Sequence, residues 1–497
     1  MKAIKNILSI CSVALLLGSC QADLLETKPY GNVAAGNMWT SENFADKGVT
    51  AIYSTLRKSY VGLGLYQMDC LGVSTDCRDA DYPIMRNTIT TSNGMFSSYW
   101  SEHYSGISRA NDAIVHLPEV DMPENKKARY MAEAKVLRAY FYYKLNIMYK
   151  GVPVYLEPVE ASECTKGQET EAAVWQVIED DLTAAINEPN LPNIYTEGSS
   201  DYGRVTKGLA YALRGKAYLY QKEYAKAAAD FEAVSQCGFG LFEGDYKQLF
   251  KEANEQSKEM IFSVQCIGLD GLGNDISFRY GTRSSFGSCW NTYLVNADFV
   301  ETYENADGSK FNWNDYIPGY NEMEPAARAV FFLRDGLTDA EKEAMKTAGA
   351  DMSKYLPEGN EARIKAAYAN RDPRLTASII TPYSTYDGAN GSNEYTYTLR
   401  WPFRAGDVSE PFDLKTDTNN RFYYLYRKFV AEGASEIPNR SYSPIDVPLI
   451  RYADILLNLA ECYNELNQED KAIACVNQVR ERAGAALLNS NDATTVK

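Results

Sequence analysis

Residues 448–484 read PLIRYADILLNLAECYNELNQEDKAIACVNQVRERAG, and this stretch decides the fold. Apolar or small residues recur at steps of three and four, which predicts one buried helical face through Leu449, Ala453, Leu456, Ala460 and Tyr463. Asn467 and Gln468 interrupt the pattern, and a second stripe follows through Ala472, Ile473, Val476 and Val479. Gly484 stands where a left-handed helix cap is expected. The stretch therefore predicts two helices joined by a short turn.

Residues 208–234 carry the same pattern earlier in the chain, as GLAYALRGKAYLYQKEYAKAAADFEAV. Gly215, Tyr218, Ala227, Phe231 and Val234 align with Ala460, Tyr463, Ala472, Val476 and Val479. This order of small, aromatic and large apolar residues resembles the tetratricopeptide (TPR) repeat, and two ordinary helical hairpins are the alternative. Because two separated copies do not make a continuous solenoid, we expect other segments to be wrapped around them.

The amino-acid composition argues against two kinds of binding partner, nucleic acids and anionic membranes. The chain has 497 residues, a formal net charge of −16 and 37 tyrosines. It has no basic run or patch, which argues against nucleic acid as a partner. The same absence argues against electrostatic adhesion to an anionic membrane.

Residues 1–19 have the features of a bacterial targeting segment. Lys2 and Lys5 give a basic start, and the apolar run that follows, residues 7–17, is too short to span a bilayer. Leu17-Gly18-Ser19-Cys20 resembles a lipobox, in which lipid is attached to the cysteine after cleavage just before it. The alternative is an ordinary secretory signal with an incidental Cys20. We expect a mature chain that begins at Cys20 and is anchored by lipid rather than by a membrane-spanning segment.

The rest of the chain predicts a mainly α fold with long loop insertions. Helical patterns start at Trp39 and cover residues 100–114, 130–149 and 174–186, before the first hairpin. Short strands are predicted at residues 260–266, 395–401 and 421–429, within loop-rich sequence. We therefore predict a TPR-like helical hairpin scaffold, with an N-terminal region at 20–240 and a C-terminal region at 241–497.

Several stretches together resemble one family, the SusD/RagB surface lipoproteins. They are the lipobox at Cys20, WTSEN from Trp39, AEAKVLRAYFYYKL before Gly151, GRVTKG at 203–208, KEMIF at 258–262, NRDPRL at 370–375, IRYAD at 450–454 and RERAG at 480–484. The resemblance implies binding of a glycan, or sometimes a peptide, outside the cell. It also implies a place at the outer membrane, as a lid on a SusC-like TonB-dependent barrel that carries the ligand inward.

The resemblance has one departure, at the C-terminus. Members of the family usually continue with a helix carrying a Glu-Arg-Arg type pattern and then an Asp-Leu-x-Arg stretch. This sequence stops at Lys497, about where that helix begins. We therefore expect a truncated fragment.

Nothing in the sequence predicts a catalytic, metal or cofactor site. His103 and His116 are the only histidines, and no nucleophile, zinc or phosphate-binding motif is present. The scattered cysteines are poor zinc ligands; Cys70 and Cys77 are the pair closest in sequence for a disulfide. Carboxylate pairs are too abundant to be informative, so a surface glycosidase stays an alternative, as does a TPR scaffold with only protein partners.

Aromatic residues in loops are the candidate ligand contacts. Sugar binding requires flat apolar faces with planar polar groups beside them, and loop rings are better candidates than rings on helical stripes. Trp100 and Trp175 lie on such stripes and are expected in the core. The candidates in loop-rich sequence are Trp290, Trp313, Tyr316 and Tyr320, together with Arg78, Asp79 and Tyr82.

Overall fold

The computed structural model describes residues 38–79, 82–405, 409–417, 424–434 and 439–489. Within these residues, four α-helices precede the first hairpin: α1 (Glu42–Ser54), α2 (Gly94–His116), α3 (Glu124–Tyr149) and α4 (Glu171–Ile186). The short strand β1 (Thr75–Cys77) lies between α1 and α2. The left-handed conformation of Lys150 and Gly151 ends α3, as the Gly-Val-Pro sequence predicts.

The first hairpin consists of α5 (Lys207–Tyr220) and α6 (Tyr224–Gln236). The Thr206 hydroxyl caps α5 by accepting a hydrogen bond from the amide of Leu209 at 3.1 Å. The small residue at Gly215 lets the helices approach, because a Cβ there would lie 2.6 Å from the ring of Phe231. The aligned positions of the sequence pattern therefore meet across the hairpin.

The closing hairpin is formed by α13 (Tyr452–Glu465) and α14 (Glu469–Arg482), and Gly484 has the predicted left-handed conformation, with φ of 70°. One part of the prediction is wrong. Leu449 belongs to a strand, β9 (Val447–Arg451), which pairs antiparallel with β2 (Met260–Val264). The helix starts only at Tyr452, because the residues before it take their hydrogen bonds from β2.

The two hairpins pack against each other although the sequence separates them widely. The hydroxyl of Tyr463 on α13 donates to Glu232 on α6 at 2.5 Å. Lys216 on α5 pairs with Asp454 on α13 at 2.7 Å. Cys462 on α13 and Cys475 on α14 are buried in the core. The hairpins and α1–α4 thus make one helical scaffold, while a boundary near residue 240 stays a prediction.

The segment between the hairpins holds the remaining elements. Its helices are α7 (Ile276–Tyr280), α8 (Ala297–Glu301), α9 (Pro325–Ala329), α10 (Asp339–Thr347), α11 (Asn360–Ala369) and α12 (Pro373–Ser378). Its strands, besides β2 and β9, are β3 (Tyr293–Val295), β4 (Ile379–Ile380), β5 (Thr385–Asn390), β6 (Asn393–Thr398), β7 (Phe412–Asp413) and β8 (Leu425–Tyr426). The predicted mainly α fold with a few short strands is confirmed.

Strand pairing brings distant parts of this segment together. β1 pairs with β3, β4 pairs with β8, and β5, β6 and β7 form a three-stranded sheet. In that sheet β5 and β6 form an antiparallel hairpin, and β7 adds in parallel beside β6. Within the described residues, no helix is long and apolar enough to cross a membrane.

Candidate functional site

A cleft of about 1220 Å³ opens beside the β5–β6–β7 sheet. Its walls come from strands β5, β6 and β7, from the loop 283–288 and from residues 403–405. This volume exceeds that of a typical pocket for a small molecule, so the cleft has room for an extended ligand.

One wall of the cleft is aromatic. Tyr395 and Tyr397 are two residues apart on β6, so both side chains lie on the same face of the strand. Phe412 on β7 is paired with Tyr397, and its ring centroid lies 5.7 Å from that of Tyr395 and 6.2 Å from that of Tyr397. All three rings are partly exposed, and the half-exposed rings of Phe286 and Phe403 also line the cleft.

Charged and polar groups surround the aromatic wall. Lys415 is exposed in the cleft, and its backbone amide donates to the hydroxyl of Ser284 at 2.9 Å. The guanidinium of Arg404 holds both carboxylate oxygens of Glu341, at 2.7 and 2.9 Å. That contact lowers the pKa of Glu341 to about 2. The cleft therefore presents donors and acceptors of fixed position beside flat apolar faces.

Asp413 anchors the strand that carries Phe412. Its carboxylate is buried and accepts hydrogen bonds from Arg334 at 2.6 Å and from the backbone amide of Arg404 at 2.8 Å. Arg400 also forms an ion pair with it, at 2.6 Å. Because the carboxylate is fixed by two guanidinium groups, Asp413 holds β7 in place beneath the cleft.

The structure places two of the predicted site residues next to residues that line this cleft, although neither of the two lines it. Arg78 donates to the backbone carbonyl of Trp290 at 2.6 Å and forms an ion pair with Asp417. Asp417 also pairs with Arg283, which lines the cleft. Trp290 is 38% exposed and follows Ser288, another lining residue, by two positions. Trp290 is thus connected to the cleft through the loop that carries Ser288. Arg78 is connected to it through the carboxylate of Asp417, which also pairs with Arg283.

The two neighbours of Arg78 differ in exposure. The side chain of Asp79 is 63% exposed and lies 3.8 Å from Arg78. Tyr82 is half-buried, packs edge-on against Tyr293, and has a pKa raised to about 12 by burial.

The other three predicted residues lie elsewhere. Trp313 is 2% exposed, donates its indole N–H to Glu301 at 2.9 Å and packs against Phe332. Tyr320 is also buried and packs on Trp313, while Tyr316 is half-buried and does not touch the cleft. For Trp313 and Tyr320 the structure favours buried loop anchors over ligand contacts, because their ring faces are covered by other rings.

The two histidines and the cysteines Cys70 and Cys77, for which the sequence predicts no catalytic role, have the following surroundings. His103 is buried and its Nδ1 lies 2.6 Å from the carbonyl of Tyr99, while burial lowers its pKa to about 3. His116 stacks on Trp39. Cys70 and Cys77 are free thiols, and the described residues contain no cluster of metal ligands. The predicted lipid attachment site, Cys20, lies outside the described residues.

Sequence reasoning missed the aromatic wall. The signal was present in β6, where tyrosines alternate with polar residues in NEYTYT, at 393–398. In a strand this alternation places both rings on one face. The contribution of Phe412 was not visible from local sequence, because it depends on the parallel pairing of β7 with β6.

Comparison with known proteins assigns the family. A family model described as "SusD family" matches residues 258–496, and one described as "Starch-binding associating with outer membrane" matches residues 25–219. The chain belongs to the SusD/RagB family. The predicted resemblance is thereby confirmed over most of the chain.

Similar SusD-like proteins occur in Formosa agariphila and Bacteroides ovatus. The SusD-like protein P38 of Formosa agariphila is 25% identical over 99% of this chain and 84% of its own length. The SusD-like protein P25 of the same organism is 24% identical over 97% of this chain and 82% of its own length. A SusD-like protein of Bacteroides ovatus is 24% identical over 63% of this chain and 60% of its own length.

Solved structures share the SusD fold. A SusD-like carbohydrate binding protein from Bacteroides fragilis has a TM-score of 0.69 at 23% identity, covering 92% of this chain and 83% of that one. A laminarin binding SusD-like protein has a TM-score of 0.62 at 23% identity, covering 90% and 86%. Surface glycan-binding protein A from Bacteroides thetaiotaomicron has a TM-score of 0.60 at 18% identity, covering 92% and 86%.

Proposed function

We propose that this SusD/RagB protein binds an oligosaccharide or polysaccharide in the cleft beside β5–β6–β7. In this proposal the mature protein is held at the cell surface by lipid on Cys20, after removal of residues 1–19. It delivers the glycan to a SusC-like TonB-dependent outer-membrane barrel and performs no chemical step on it.

The observation that carries the proposal is the aromatic wall formed by Tyr395, Tyr397 and Phe412. Its exposed ring faces match the C–H faces of pyranose sugars, and aromatic rings offer contact area at a small entropic cost. Asn390, Arg283 and Lys415 line the same cleft and supply planar or charged groups for sugar hydroxyls. A chain of sugar units fits the size of the cleft better than a single small molecule.

The relatives support the same class of ligand. Several structural neighbours are named for carbohydrate, laminarin or surface glycan binding, and one matching family model is described as starch-binding. That family model also supports a location at the outer membrane.

The cleft geometry favours binding over hydrolysis. Among the described residues, two carboxylates line the cleft, those of Glu394 and Asp413. Asp413 is buried and paired with Arg334 and Arg400, so it does not have the free face that a nucleophile or general base requires. Glu394 accepts a hydrogen bond from the backbone amide of Ala434 at 2.8 Å. A glycosidase needs two carboxyl groups facing the same bond, and this pair does not offer them.

Isothermal titration calorimetry with laminarin, starch and plant and host glycans tests the proposal. We expect one glycan class to bind, and the variants Tyr395→Ala, Tyr397→Ala and Phe412→Ala to weaken it about tenfold or more, equivalent to about 1.4 kcal/mol. Tyr220→Ala is the matched control, since Tyr220 is 56% exposed and lies outside the cleft.

Three results contradict parts of this proposal. Binding that survives all three wall variants excludes the cleft as the site. Binding of peptides but of no glycan identifies a peptide-binding member of the family. Release of reducing sugar that is lost in Glu394→Gln shows a glycosidase.

The anchor is tested separately in the native host. Cys20→Ala is expected to move the protein from the membrane fraction to the soluble fraction, with Cys164→Ala, an exposed cysteine of the body, as control. Retention of Cys20→Ala in the membrane contradicts lipid anchoring. Co-purification with a TonB-dependent barrel tests the transport partner.

A further inference from the structure

A second cavity, of about 380 Å³, lies in the helical scaffold far from the β5–β6–β7 sheet in sequence. Helices α3 and α5, strand β9 and the first turn of α13 enclose it. We call it the Lys144 pocket, after the lysine that α3 contributes. Its walls include the rings of Tyr140, Tyr143 and Tyr220.

The pocket holds more positive than negative charge. Lys144, Lys216 and Arg451 line it, and Asp454 is the single carboxylate among its lining residues in the described structure. Lys216 is paired with Asp454 at 2.7 Å. Arg451 is paired with Glu259 at 2.6 Å, away from the lining.

Lys144 is left without a counter-ion among the described residues. Its ammonium group lies 5.6 Å from the centroid of the Tyr140 ring, which is a weak substitute for a carboxylate. Burial, and then the nearby charge of Lys216, lower the pKa of Lys144 to about 8, while the charge of Asp454 opposes the shift. Lys144 is therefore a half-buried cation that lies beside a second cation.

We propose that the Lys144 pocket binds an oxyanion, with the ammonium group of Lys144 as its main contact and Lys216 and Arg451 beside it. Sulfate, phosphate and the carboxylate of a small organic acid share this chemistry. The anion would supply the negative charge that Lys144 lacks. The tyrosine rings leave room for an organic acid as large as a uronic acid. The pocket is independent of the glycan cleft.

Thermal unfolding of the full chain tests the proposal, at constant ionic strength kept with sodium chloride. The probes are sodium sulfate, sodium phosphate, sodium glucuronate and, as the neutral counterpart of the last, glucose. We expect Tm to rise with at least one anion and to saturate, since a ligand that binds only the folded state stabilises it. Glucose should leave Tm unchanged.

Lys144→Met is the decisive variant. It removes the uncompensated charge but keeps most of the side chain, so we expect it to fold with an unchanged or higher Tm without anion. Its anion-dependent rise in Tm should disappear, with apparent affinity reduced about tenfold or more. Lys226→Gln is the matched control, because the side chain of Lys226 is 59% exposed on α6 and outside the pocket.

NMR of the labelled lysine side chains provides a second readout. Saturating anion should raise the pKa of Lys144, because the bound negative charge favours the ammonium form. A response to sulfate or phosphate alone indicates a free inorganic ion, and a response to glucuronate alone indicates an organic acid. An equal rise in Tm in Lys144→Met, or a Tm and a Lys144 pKa that no anion changes, overturns the proposal.

Discussion

Gly388 on β5 lies against the ring of Tyr397 on β6: a Cβ added to Gly388 would lie 2.8 Å from the ring atoms Cδ2 and Cε2. The added Cβ would also clash with the backbone carbonyl oxygen of Ser284, to which the amide of Ala389 donates at 2.9 Å. A residue without a side chain therefore sets the position of one wall ring and of the loop that carries Arg283.

Gly388→Ala is expected to displace this ring and the 283–288 loop. Over-packing of this kind costs about 1–3 kcal/mol of unfolding free energy, and glycan affinity should fall with it. Urea unfolding and calorimetry measure the two effects. Gly167→Ala is the control, since an added Cβ there meets nothing within 4 Å. Unchanged glycan binding in Gly388→Ala would contradict the role of Tyr397.

The two loop tryptophans should respond in opposite ways. Trp313→Ala removes a ring that is 2% exposed, and we expect a loss of about 3–5 kcal/mol in stability. Trp290→Ala removes a ring that is 38% exposed, so stability should change little while glycan affinity falls. Chemical denaturation and calorimetry separate the two. A Trp313→Ala variant that stays stable but no longer binds glycan would show that Trp313 belongs to the binding site.

Removal of one partner from the buried ion pair between Arg138 and Asp181 should destabilise the helical scaffold. Two guanidinium nitrogens of Arg138 each donate to one oxygen of Asp181 at 2.8 Å, and both side chains are buried. Asp181→Ala leaves a buried charge without its partner and should cost about 3–5 kcal/mol in urea unfolding. Asp180→Ala, at an exposed neighbouring position, should change stability by less than about 0.5 kcal/mol.

Stability should fall as pH rises, through Asp446. Burial, and then the charge of Glu255, raise the pKa of Asp446 from 3.8 to about 8. The folded state then binds a proton that the unfolded state releases between about pH 4 and pH 8, so this contribution is complete at low pH and is lost as pH approaches 8. Glu255, with a pKa raised to about 7, acts in the same direction.

Asp446→Asn isolates this effect, because the amide oxygen keeps the hydrogen bond from the amide of Cys266, 2.7 Å in the parent. The stability difference between variant and parent should grow in favour of the variant from pH 5 to pH 8, by at least about 1.4 kcal/mol, the equivalent of one pKa unit. Urea unfolding at each pH measures it. Parallel pH profiles for the two proteins would rule out the raised pKa of Asp446.

Local patterns predicted much of the scaffold correctly. Some features depend only on residues three or four positions apart and can therefore be predicted directly from the sequence. They are the apolar stripes at 453–463 and 472–479 and the cap at Gly484. The start of α13 was misplaced because Leu449 is held by β2, nearly two hundred residues earlier, which no local pattern contains. The ion pair of Arg374 with Asp372 in the NRDPRL stretch is local in the same way, because the two residues are two positions apart.

The sequence by itself determined the family, the helical hairpins and the abundance of aromatic rings between them. Only the tertiary structure decided which of those rings are exposed. Trp313 and Tyr395 stand in equally loop-rich sequence, yet the first is covered by Phe332 and Tyr320 and the second opens into the cleft beside Phe412. The reason is physical: exposure of a side chain depends on contacts between segments far apart in the chain, whereas helix formation depends mainly on near neighbours.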